Sequence, residues 1–369
     1  MIKILHIVPS LEYGGGVQTM LYNYYTNMNN EDICFDFIVH GNKKGEYEEL
    51  FGEMGSTIIH VTPKKKSLLK NLKEINHVML MKDYDIVHVH QNLSSGLSLL
   101  LAKIHNIPIR ISHSHSYKKN NSLLQTFKEF PLRFLNNNFS NYKFACERDA
   151  GKWLFGNTWE ENEYNLIMYN AIDLNKFSYN PKIRNNYREE LGLNNKFIML
   201  HIGRLSNEKN QEFSIEILKE LLSIEPNAVL LLVGSGNNEE KLKNIVQGKG
   251  LNNYVKFLGV RKDVSELMNA ADILLLPSKN EGLPLVAIEA QSCGLKVLAS
   301  DNVPRATNLT ELIEYLPLDS SINIWIEKII SSKSYKRKVL IENTKFHNYS
   351  IQMQAKKYEE WIRNRILNK

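Results

Sequence analysis

Two carboxylates, Glu281 and Glu289, flank the start of a predicted helix in the C-terminal half of the chain. The apolar run 273–276 predicts a buried strand that leads into this stretch. Pro284 and Gly294 are typical of the first position and the stop of a helix. Glu281 would then lie in the loop before the helix and Glu289 inside it. Both carboxylates can accept hydrogen bonds from the hydroxyl groups of a ligand.

The first turn of this helix adds a site for negative charge. The backbone N–H groups of Leu285 and Val286 have no partner within the helix, so they favour an anion at its N-terminus. A phosphate at that position, with hydroxyl-rich groups near each carboxylate, is the arrangement of a nucleotide-sugar site.

A basic pair follows the strand predicted for residues 196–202. Gly203 comes directly after this strand, and Arg204 and Lys209 stand on either side of a turn. Arginine offers a planar fork and lysine a point charge, and together they suit a diphosphate. An isolated pair of this kind is more often a solvated surface feature, so the pair gains weight only from its context.

Glycine-containing turns follow two other predicted strands. Gly15 and Gly16 end a glycine triplet between the strand 2–8 and the helical pattern 17–28, and Gly234 follows the strand 228–233. Glycine lets backbone approach a phosphate closely. The triplet does not have the spacing of the dinucleotide-binding fingerprint, so a turn without a ligand is an open alternative.

Predicted strands and helices alternate along the whole chain, which indicates an α/β fold with parallel sheets. The N-terminal strands are 2–8, 35–39, 57–61, 86–90 and 109–113, with helices at 17–28, 47–54, 68–81 and 94–105 between them. The C-terminal strands are 196–202, 228–233, 255–258, 273–276 and 296–299. Ligands bind beyond the carboxyl ends of such strands.

Two histidine pairs lie at strand ends of the N-terminal half: His88 with His90, and His113 with His115. Residues two apart on a strand share a face, so each pair has the spacing of metal ligands. No carboxylate cluster completes either pair, and we therefore predict no metal site. Polar strand ends beside a ligand explain both pairs.

The string Pro-Ser-x-x-Glu-Gly-x-x-Leu-x-x-x-Glu-Ala, together with the Gly-Arg-Leu-x-x-x-Lys-Asn string at 203–210, resembles the retaining GT-B glycosyltransferases of family 4. These enzymes build bacterial capsular polysaccharides, exopolysaccharides and glycolipids. The resemblance is strong over residues 196–300 and looser over 1–175. It departs from the common pattern at Leu283 and Pro284, which puts the identity of the donor sugar in doubt more than the reaction.

The resemblance implies a role for each candidate residue. Glu289 would hold the ribose and Glu281 the sugar hydroxyl groups, while Arg204 and Lys209 stabilise the departing diphosphate. The segment at Arg261 would hold the base. From the N-terminal half, Gly15 and Gly16 would cap the diphosphate, and His115 would orient the sugar, with His113 as the second candidate. No cofactor or metal is expected, because the two cations supply the positive charge.

The same resemblance implies two Rossmann-like domains that face each other across a cleft. We expect an acceptor-side domain at 1–175, a linker at 176–195 and a nucleotide-sugar-binding domain at 196–345. A C-terminal helix, 346–369, would cross back to the first domain.

Composition fits a globular protein and excludes several classes. Of 369 residues, 43% are hydrophobic and 23% charged, and the formal net charge is +6. No basic run with interleaved aromatics predicts a nucleic-acid partner. Cys34, Cys146 and Cys293 are too scattered for a zinc site or a disulfide framework, which fits a cytoplasmic protein. No signal peptide or spanning segment is predicted, so any membrane contact would be peripheral.

One segment is a candidate for that contact. Residues 123–139 form an amphipathic pattern with Phe127, Phe130 and Phe134. The basic residues are Lys118 and Lys119 just before this segment and Lys128 and Arg133 within it. Such a helix can lie on a membrane or a lipid-linked acceptor. Aromatic residues at helical spacing are more often core packing, and Pro131 interrupts the pattern.

The function expected from these observations is transfer of a hexose or N-acetylhexosamine from a nucleotide-sugar, with UDP favoured, to a glycan or lipid-linked saccharide. Three alternatives remain open: a nucleotide-sugar epimerase of the same fold, a phosphorylase, and a non-catalytic partner of an active transferase. The lack of a lysine motif suited to pyridoxal phosphate weighs against the phosphorylase. The presence of all four acidic and basic candidate residues (Glu281, Glu289, Arg204 and Lys209) weighs against the alternative of a non-catalytic partner.

Overall fold

The computed structural model describes residues 1–12, 15–116, 123–339 and 344–367. The chain divides into two compact units. Unit 1 comprises Met1–Ala171 and Asn348–Lys369, and unit 2 comprises Ile172–His347.

Unit 1 alternates strands and helices along the chain. Its strands are β1 (Ile2–Val8), β2 (Ile33–His40), β3 (Ile58–Val61), β4 (Ile86–Val89), β5 (Ile109–Ser114), β6 (Tyr142–Ala145) and β7 (Leu166–Ile167). Its helices are α1 (Gly16–Asn27), α2 (Tyr47–Glu53), α3 (Leu68–Met81), α4 (Gly96–Ile104), α5 (Leu123–Phe139) and α6 (Arg148–Phe155). The C-terminal helix of the chain, numbered α13 (Ile351–Leu367), also belongs to this unit.

Unit 2 repeats the alternation. Its helices are α7 (Pro181–Glu190), α8 (Gln211–Leu221), α9 (Glu239–Gly248), α10 (Val264–Ala270), α11 (Leu285–Ser292) and α12 (Ile322–Ser332). Its strands are β8 (Phe197–Ile202), β9 (Ala228–Val233), β10 (Val255–Gly259), β11 (Ile273–Leu276), β12 (Lys296–Ser300) and β13 (Ile313–Leu316).

Both sheets have the doubly wound order of a Rossmann-like fold. In the described residues of unit 1 the order is β3-β2-β1-β4-β5-β6-β7, and in those of unit 2 it is β10-β9-β8-β11-β12-β13. Every strand pair is parallel. The central strands are buried along most of their length because helices cover both faces. The prediction of an α/β fold with two Rossmann-like domains is confirmed.

The segment expected to be a linker is part of unit 2. Helix α7 packs against α10, and Arg184 and Arg188 both pair with Asp272 at the start of β11. Asp272 in turn accepts the N–H of Ile198 at 2.7 Å. Residues 176–195 are therefore tied to the sheet of this unit, which their charged, asparagine-rich composition did not indicate.

Two proline positions differ from the sequence analysis. Pro284 is the N-cap of α11 rather than its first residue, with φ −74° and ψ 102°, and the helix begins at Leu285. Pro131 lies inside α5, which continues through it as one helix. Gly294 follows α11 with φ +63°, as expected for a helix stop.

Helix α13 packs against α1 in unit 1. Its Tyr358 and Ile362 are buried in the same core cluster as Phe35 and Phe144 of the sheet. Among the helices of the described ranges, none has the length and apolarity needed to cross a membrane.

Candidate active site

The candidate residues of unit 2 lie in loops at one edge of its sheet. Strands β9, β8 and β11 are parallel neighbours, so their carboxyl ends meet at the same edge. Gly203 to Lys209 follow β8, Gly234 follows β9, and Ser278 to Leu283 follow β11. The order of the strands therefore brings together loops that are far apart in the sequence.

A salt bridge joins the loops after β8 and β11. Lys209 Nζ contacts Glu281 Oε1, and Ser278 Oγ donates to the same oxygen at 2.8 Å. Two further bonds hold the loops together: Lys279 N–H donates to Glu208 O at 2.7 Å, and Asn210 Nδ2 donates to Pro277 O at 3.1 Å. The lysine and glutamate predicted for the site are thus direct partners.

Arg204 is an exposed cation at this edge. Its carbonyl accepts a 2.9 Å bond from Gln211 Nε2, and Leu205 N–H donates to Ser235 O at 3.0 Å, so the backbone around it is fixed. Its guanidinium forms no salt bridge with any residue in the described ranges. A fixed backbone with an unpaired guanidinium is suited to receive an anionic ligand.

Close packing of the two turns requires glycine at Gly234, and the backbone conformation favours glycine at Gly203. Gly234 has φ +127°, and a Cβ built on it would lie 2.2 Å from Gly203 O. Gly203 has φ +155°. The backbone of the protein itself, rather than a ligand alone, explains why these positions have no side chain.

The N-terminus of α11 lacks a side-chain cap, because its N-cap is Pro284. The N–H groups of Leu285 and Val286 therefore remain available at the helix end. Glu289, half-buried one turn further on, makes no hydrogen bond or salt bridge with a described residue. Its burial raises the pKa of its carboxyl to about 7, against a smaller opposing effect of Lys176.

Arg261 is already engaged within unit 2. Its Nε donates to Asp263 Oδ1 at 2.8 Å, and one terminal nitrogen donates to Tyr187 Oη at 3.0 Å. The adjacent Val260 is 65% exposed. The side chain of Arg261 is thus held by protein groups.

In unit 1, α1 begins directly after Gly15. A Cβ on Gly15 would lie 1.9 Å from Gln18 Oε1, and Gln18 Nε2 is anchored on Ser10 O at 2.7 Å. A Cβ on Gly16 would meet nothing within 4 Å. Of these two glycines, only Gly15 lies close to a protein side chain, and Gly14 lies outside the described residues.

His115 is held at the end of β5. Its Nε2 lies 2.8 Å from His90 Nδ1, and its backbone N–H donates to Asn92 Oδ1 at 2.8 Å. Burial lowers its pKa to about 3, so the ring is neutral at physiological pH. His113, the second candidate, is fully buried and bonded to His88. Of the two, only the half-buried His115 has a surface for a ligand.

Two residues that position the site had no role in the sequence analysis. Ser278 donates to Glu281, and Asn210 adopts φ +58° and bonds the neighbouring loop. The serine three residues before a glutamate was a readable signal, because such side chains bond locally in turns. No local pattern indicated the bond from Asn210.

A separate cavity of about 500 Å³ lies at the amino edge of the same sheet, beside Lys196 and Asp272. Its Arg184 and Arg188 are paired with Asp272, and Lys333 with Glu225. These three cations are paired with carboxylates, whereas Lys196 and Lys336, which also line the cavity, form no salt bridge with a described residue.

Comparison with known proteins identifies relatives of this chain. Residues 183–311 match the family described as glycosyl transferases group 1. The putative glycosyltransferase EpsF of Bacillus subtilis is 28% identical over 335 residues, which is 89% of this chain and 86% of EpsF. The UDP-Gal:alpha-D-GlcNAc-diphosphoundecaprenol alpha-1,3-galactosyltransferase of Escherichia coli is 25% identical over 397 residues, covering 100% of this chain and 98% of that protein.

Among solved structures, Anabaena HepE in complex with UDP-glucose superposes with a TM-score of 0.70 at 20% identity, covering 100% of both chains. This likeness shows the fold, two Rossmann-like units of the GT-B type. The matched segment 183–311 and the full-length relatives show that the chain is a glycosyltransferase, and the likeness to HepE shows that it has the GT-B fold.

Proposed function

We propose that this glycosyltransferase moves a hexose or N-acetylhexosamine from a UDP-sugar to a glycan or lipid-linked saccharide, with retention of anomeric configuration, as in family 4. The role would be in cell-surface polysaccharide biosynthesis. The donor class is supported by HepE, whose structure is described as a complex with UDP-glucose. The acceptor class is supported by the E. coli relative, whose name gives UDP-Gal as donor and a diphosphoundecaprenol-linked sugar as acceptor.

The observation that carries the proposal is the salt bridge between Lys209 and Glu281, with Arg204 exposed on the same loop. Lys209 placed this way can turn one of its remaining N–H donors toward a phosphate while Glu281 keeps it in position. Arg204 supplies a second, unpaired cation. Two cations on one strand end suit a diphosphate better than a single phosphate.

These cations would act on the departing group. In the transfer, the bond from the anomeric carbon to the β-phosphate oxygen breaks, and a bond to the acceptor oxygen forms on the same face. The acceptor proton passes to the leaving phosphate oxygen. Negative charge grows on the diphosphate as the bond breaks, so Arg204 and Lys209 stabilise the transition state more than the bound substrate.

The acidic residues would bind the two ends of the donor. Glu289 accepts hydrogen bonds from the ribose hydroxyls, and donation by those hydroxyls favours its ionised form over the neutral form that burial favours. Glu281 shares its carboxylate between Lys209 and a sugar hydroxyl. The free N–H groups of Leu285 and Val286 add donors for a phosphate oxygen.

For unit 1 we propose that the uncapped start of α1, at Gly15 and Gly16, contacts a donor phosphate. His115 would act as a neutral hydrogen-bonding group for the sugar, since its pKa of about 3 keeps it uncharged. A neutral imidazole can position a hydroxyl group but adds no positive charge at the reacting carbon.

We also propose peripheral membrane contact through α5. Phe127, Phe130 and Phe134 are 79%, 67% and 56% exposed, so they are not core residues. Their spacing places them on one face of the helix, and Lys128 beside them is exposed. An exposed aromatic face with a basic residue suits an anionic membrane that carries a lipid-linked acceptor. Lys118 and Lys119, the other basic residues considered, lie outside the described residues.

The direct test is an assay with UDP-glucose, UDP-galactose and UDP-N-acetylglucosamine against a synthetic diphospholipid-linked sugar, with GDP- and ADP-sugars as controls. The proposal predicts UDP release that depends on the acceptor, and an α-linked product from an α-linked donor. A β-linked product would overturn retention. Release of UDP at the same rate without acceptor would favour an epimerase or hydrolase.

A further inference from the structure

The cavity at the amino edge of the sheet of unit 2 lies away from the candidate active site. Asn195, Asn227 and Asp272 line it, and they stand just before β8, β9 and β11 respectively. The candidate site residues follow the other ends of these strands, and the six residues of β8 span roughly 20 Å. The cavity volume of about 500 Å³ is within the range of small-molecule sites. A ligand in it would therefore not occupy the donor site.

Basic side chains dominate the lining of this cavity. Six of the lining residues are basic and two are acidic, which leaves an excess of four positive charges beside about 500 Å³ of space. The basic residues are Arg184, Arg188, Lys196, Lys333, Lys336 and Arg337. The formal net charge of the whole chain is +6, so this is a strong local concentration. Walls that carry one sign of charge raise the local concentration of ions of the opposite sign, which here are anions.

The two carboxylates of the lining are already shared among three of the cations. Asp272 pairs with Arg184 and, at 3.2 Å, with Arg188. Glu225 pairs with Lys333. One carboxylate cannot neutralise two guanidinium groups, so even these ion pairs leave one positive charge uncompensated.

Arg337 adds a cation that forms no salt bridge within the described ranges. Its Nη1 donates to the carbonyl groups of Met268 and Asn269 at 3.0 Å, and its Nη2 donates to that of Ala271 at 2.5 Å. These carbonyl groups lie at the end of α10 and fix the guanidinium, but they carry only partial charges. Burial lowers the pKa of Arg337 to about 10, so the group stays charged at physiological pH with reduced solvation. A nearby anion would compensate this charge.

Lys196 and Lys336 are the cations of the lining that remain open to a ligand. Neither ammonium group forms a salt bridge or donates a hydrogen bond to a described residue. Lys196 is half-buried and Lys336 is exposed. The described lining residues include no aliphatic side chain, which disfavours the acyl chain of a lipid. The lining therefore favours a water-soluble anion.

We infer that Lys196 and Lys336, together with Arg337, bind a small water-soluble polyanion of the di- or triphosphate class in this cavity. Each lysine supplies a point charge, and several separate cations suit a chain of phosphates better than a single anion. The ligand would also offset the excess charge around Asp272, where Arg184 and Arg188 tie α7 to the sheet. Binding to the folded chain alone would raise the stability of unit 2 by mass action.

The test is binding of inorganic tripolyphosphate to the full chain, measured by titration calorimetry with excess UDP to fill the donor site. We expect one tripolyphosphate per chain, an affinity that falls as salt is added, and a higher melting temperature. Lys196→Met combined with Lys336→Met should weaken this binding at least ~10-fold, because two charges beside the ligand are lost. The fold should persist, since neither lysine takes part in a salt bridge.

Lys219→Met combined with Lys256→Met is the matched control. Both lysines are exposed in unit 2 and lie outside the cavity lining, and their removal changes the net charge by the same amount. This variant should keep the wild-type affinity for tripolyphosphate. Equal weakening in the two double variants would show an effect of net charge alone and would overturn the inference.

Two further results would overturn it. Absence of tripolyphosphate binding once UDP is in excess would show that the probe occupies only the donor site. Phosphatidylglycerol vesicles that bind the wild type but not the variant at Lys196 and Lys336, without any binding of tripolyphosphate, would assign the cavity to a lipid headgroup instead.

Discussion

Lys209 and Glu281 lie 72 residues apart in the sequence and form a salt bridge between the loops after β8 and β11. The glutamate side chain is 9% exposed and the lysine 22%. Because water is largely excluded, loss of either partner leaves a charge with reduced solvation. The pair therefore links the stability of this edge of the sheet to the chemistry proposed for it.

A double-mutant cycle should detect this coupling. Lys209→Met and Glu281→Gln, alone and combined, should show an interaction free energy of about 0.5–3 kcal/mol in urea unfolding. The exposed pair Lys243 and Glu239 is the control, and its coupling should not exceed ~0.5 kcal/mol. Additive effects at Lys209 and Glu281 would show that the two charges act independently.

The pKa of Glu289 predicts a pH dependence of stability. Burial raises that pKa to about 7, so between the usual glutamate range and pH 7 the folded chain keeps a proton that the unfolded chain releases. Stability contributed by this proton is present at low pH and is lost as pH rises through 7. Compared with Glu289→Gln, the wild type should therefore lose stability between pH 5 and pH 8.

Urea unfolding of both proteins at the two pH values measures the effect. Glu240→Gln, at an exposed position on α9, should show no such difference. In addition, UDP should stabilise the wild type more at pH 8 than at pH 6, because ribose hydroxyls donate to the ionised carboxylate. A gap between wild type and Glu289→Gln that does not vary with pH would rule out the raised pKa.

At Gly16, the effect of a substitution on stability can be separated from its effect on donor binding. A methyl group there meets no protein atom within 4 Å, so Gly16→Ala should leave unfolding stability unchanged or raise it by up to ~1 kcal/mol. If a donor phosphate approaches the start of α1, the same methyl should raise KM for the donor. Gly52→Ala in α2 is the control, because a Cβ there also meets no atom within 4 Å. It should change the unfolding stability by a similar amount and leave KM for the donor unchanged. Equal KM values for the donor in both variants would show that no donor phosphate contacts the protein at Gly16.

The aromatic face of α5 should determine membrane affinity. Replacement of Phe127, Phe130 and Phe134 by serine removes three exposed rings without opening the core, so the fold should persist. Co-sedimentation with phosphatidylglycerol-containing vesicles should fall strongly. Serine at the exposed Leu80 and Met81 of α3 is the control and should leave it unaltered. Vesicle binding that is equal in all three proteins would place the contact elsewhere or show that it is nonspecific.

The sequence predicted the sheets well because their signals are local. Long apolar runs such as 273–276 and 228–233 coincide with β11 and β9, since buried parallel strands need continuous apolar residues. The helix stop at Gly294 was also readable, because its positive φ favours glycine.

The sequence did not show contacts between distant segments or which helix faces are covered. Residues 176–195 read as a linker because their composition is polar, yet Arg184 is fixed by Asp272 far along the chain. Phe127 has the helical spacing of a core residue and is 79% exposed, since periodicity identifies a face but not what covers it.

The sequence identified residues of the candidate site but not the contacts between them, for the same reason. Residue types and spacing singled out Arg204, Lys209, Glu281 and Glu289. The partner of Lys209 depends on strand order, so its salt bridge with Glu281 did not follow from the pattern.

The central claim is that cations at the end of β8 stabilise the departing diphosphate, and the turnover number of Arg204→Ala tests it most directly. Arg204 is exposed and unpaired among the described residues, so its removal should leave the melting temperature unchanged while kcat falls ~100- to 1,000-fold. Lys219→Ala, at the far end of α8, should keep full kcat. Turnover of Arg204→Ala equal to that of the wild type, with a UDP-sugar the enzyme accepts, would contradict the account.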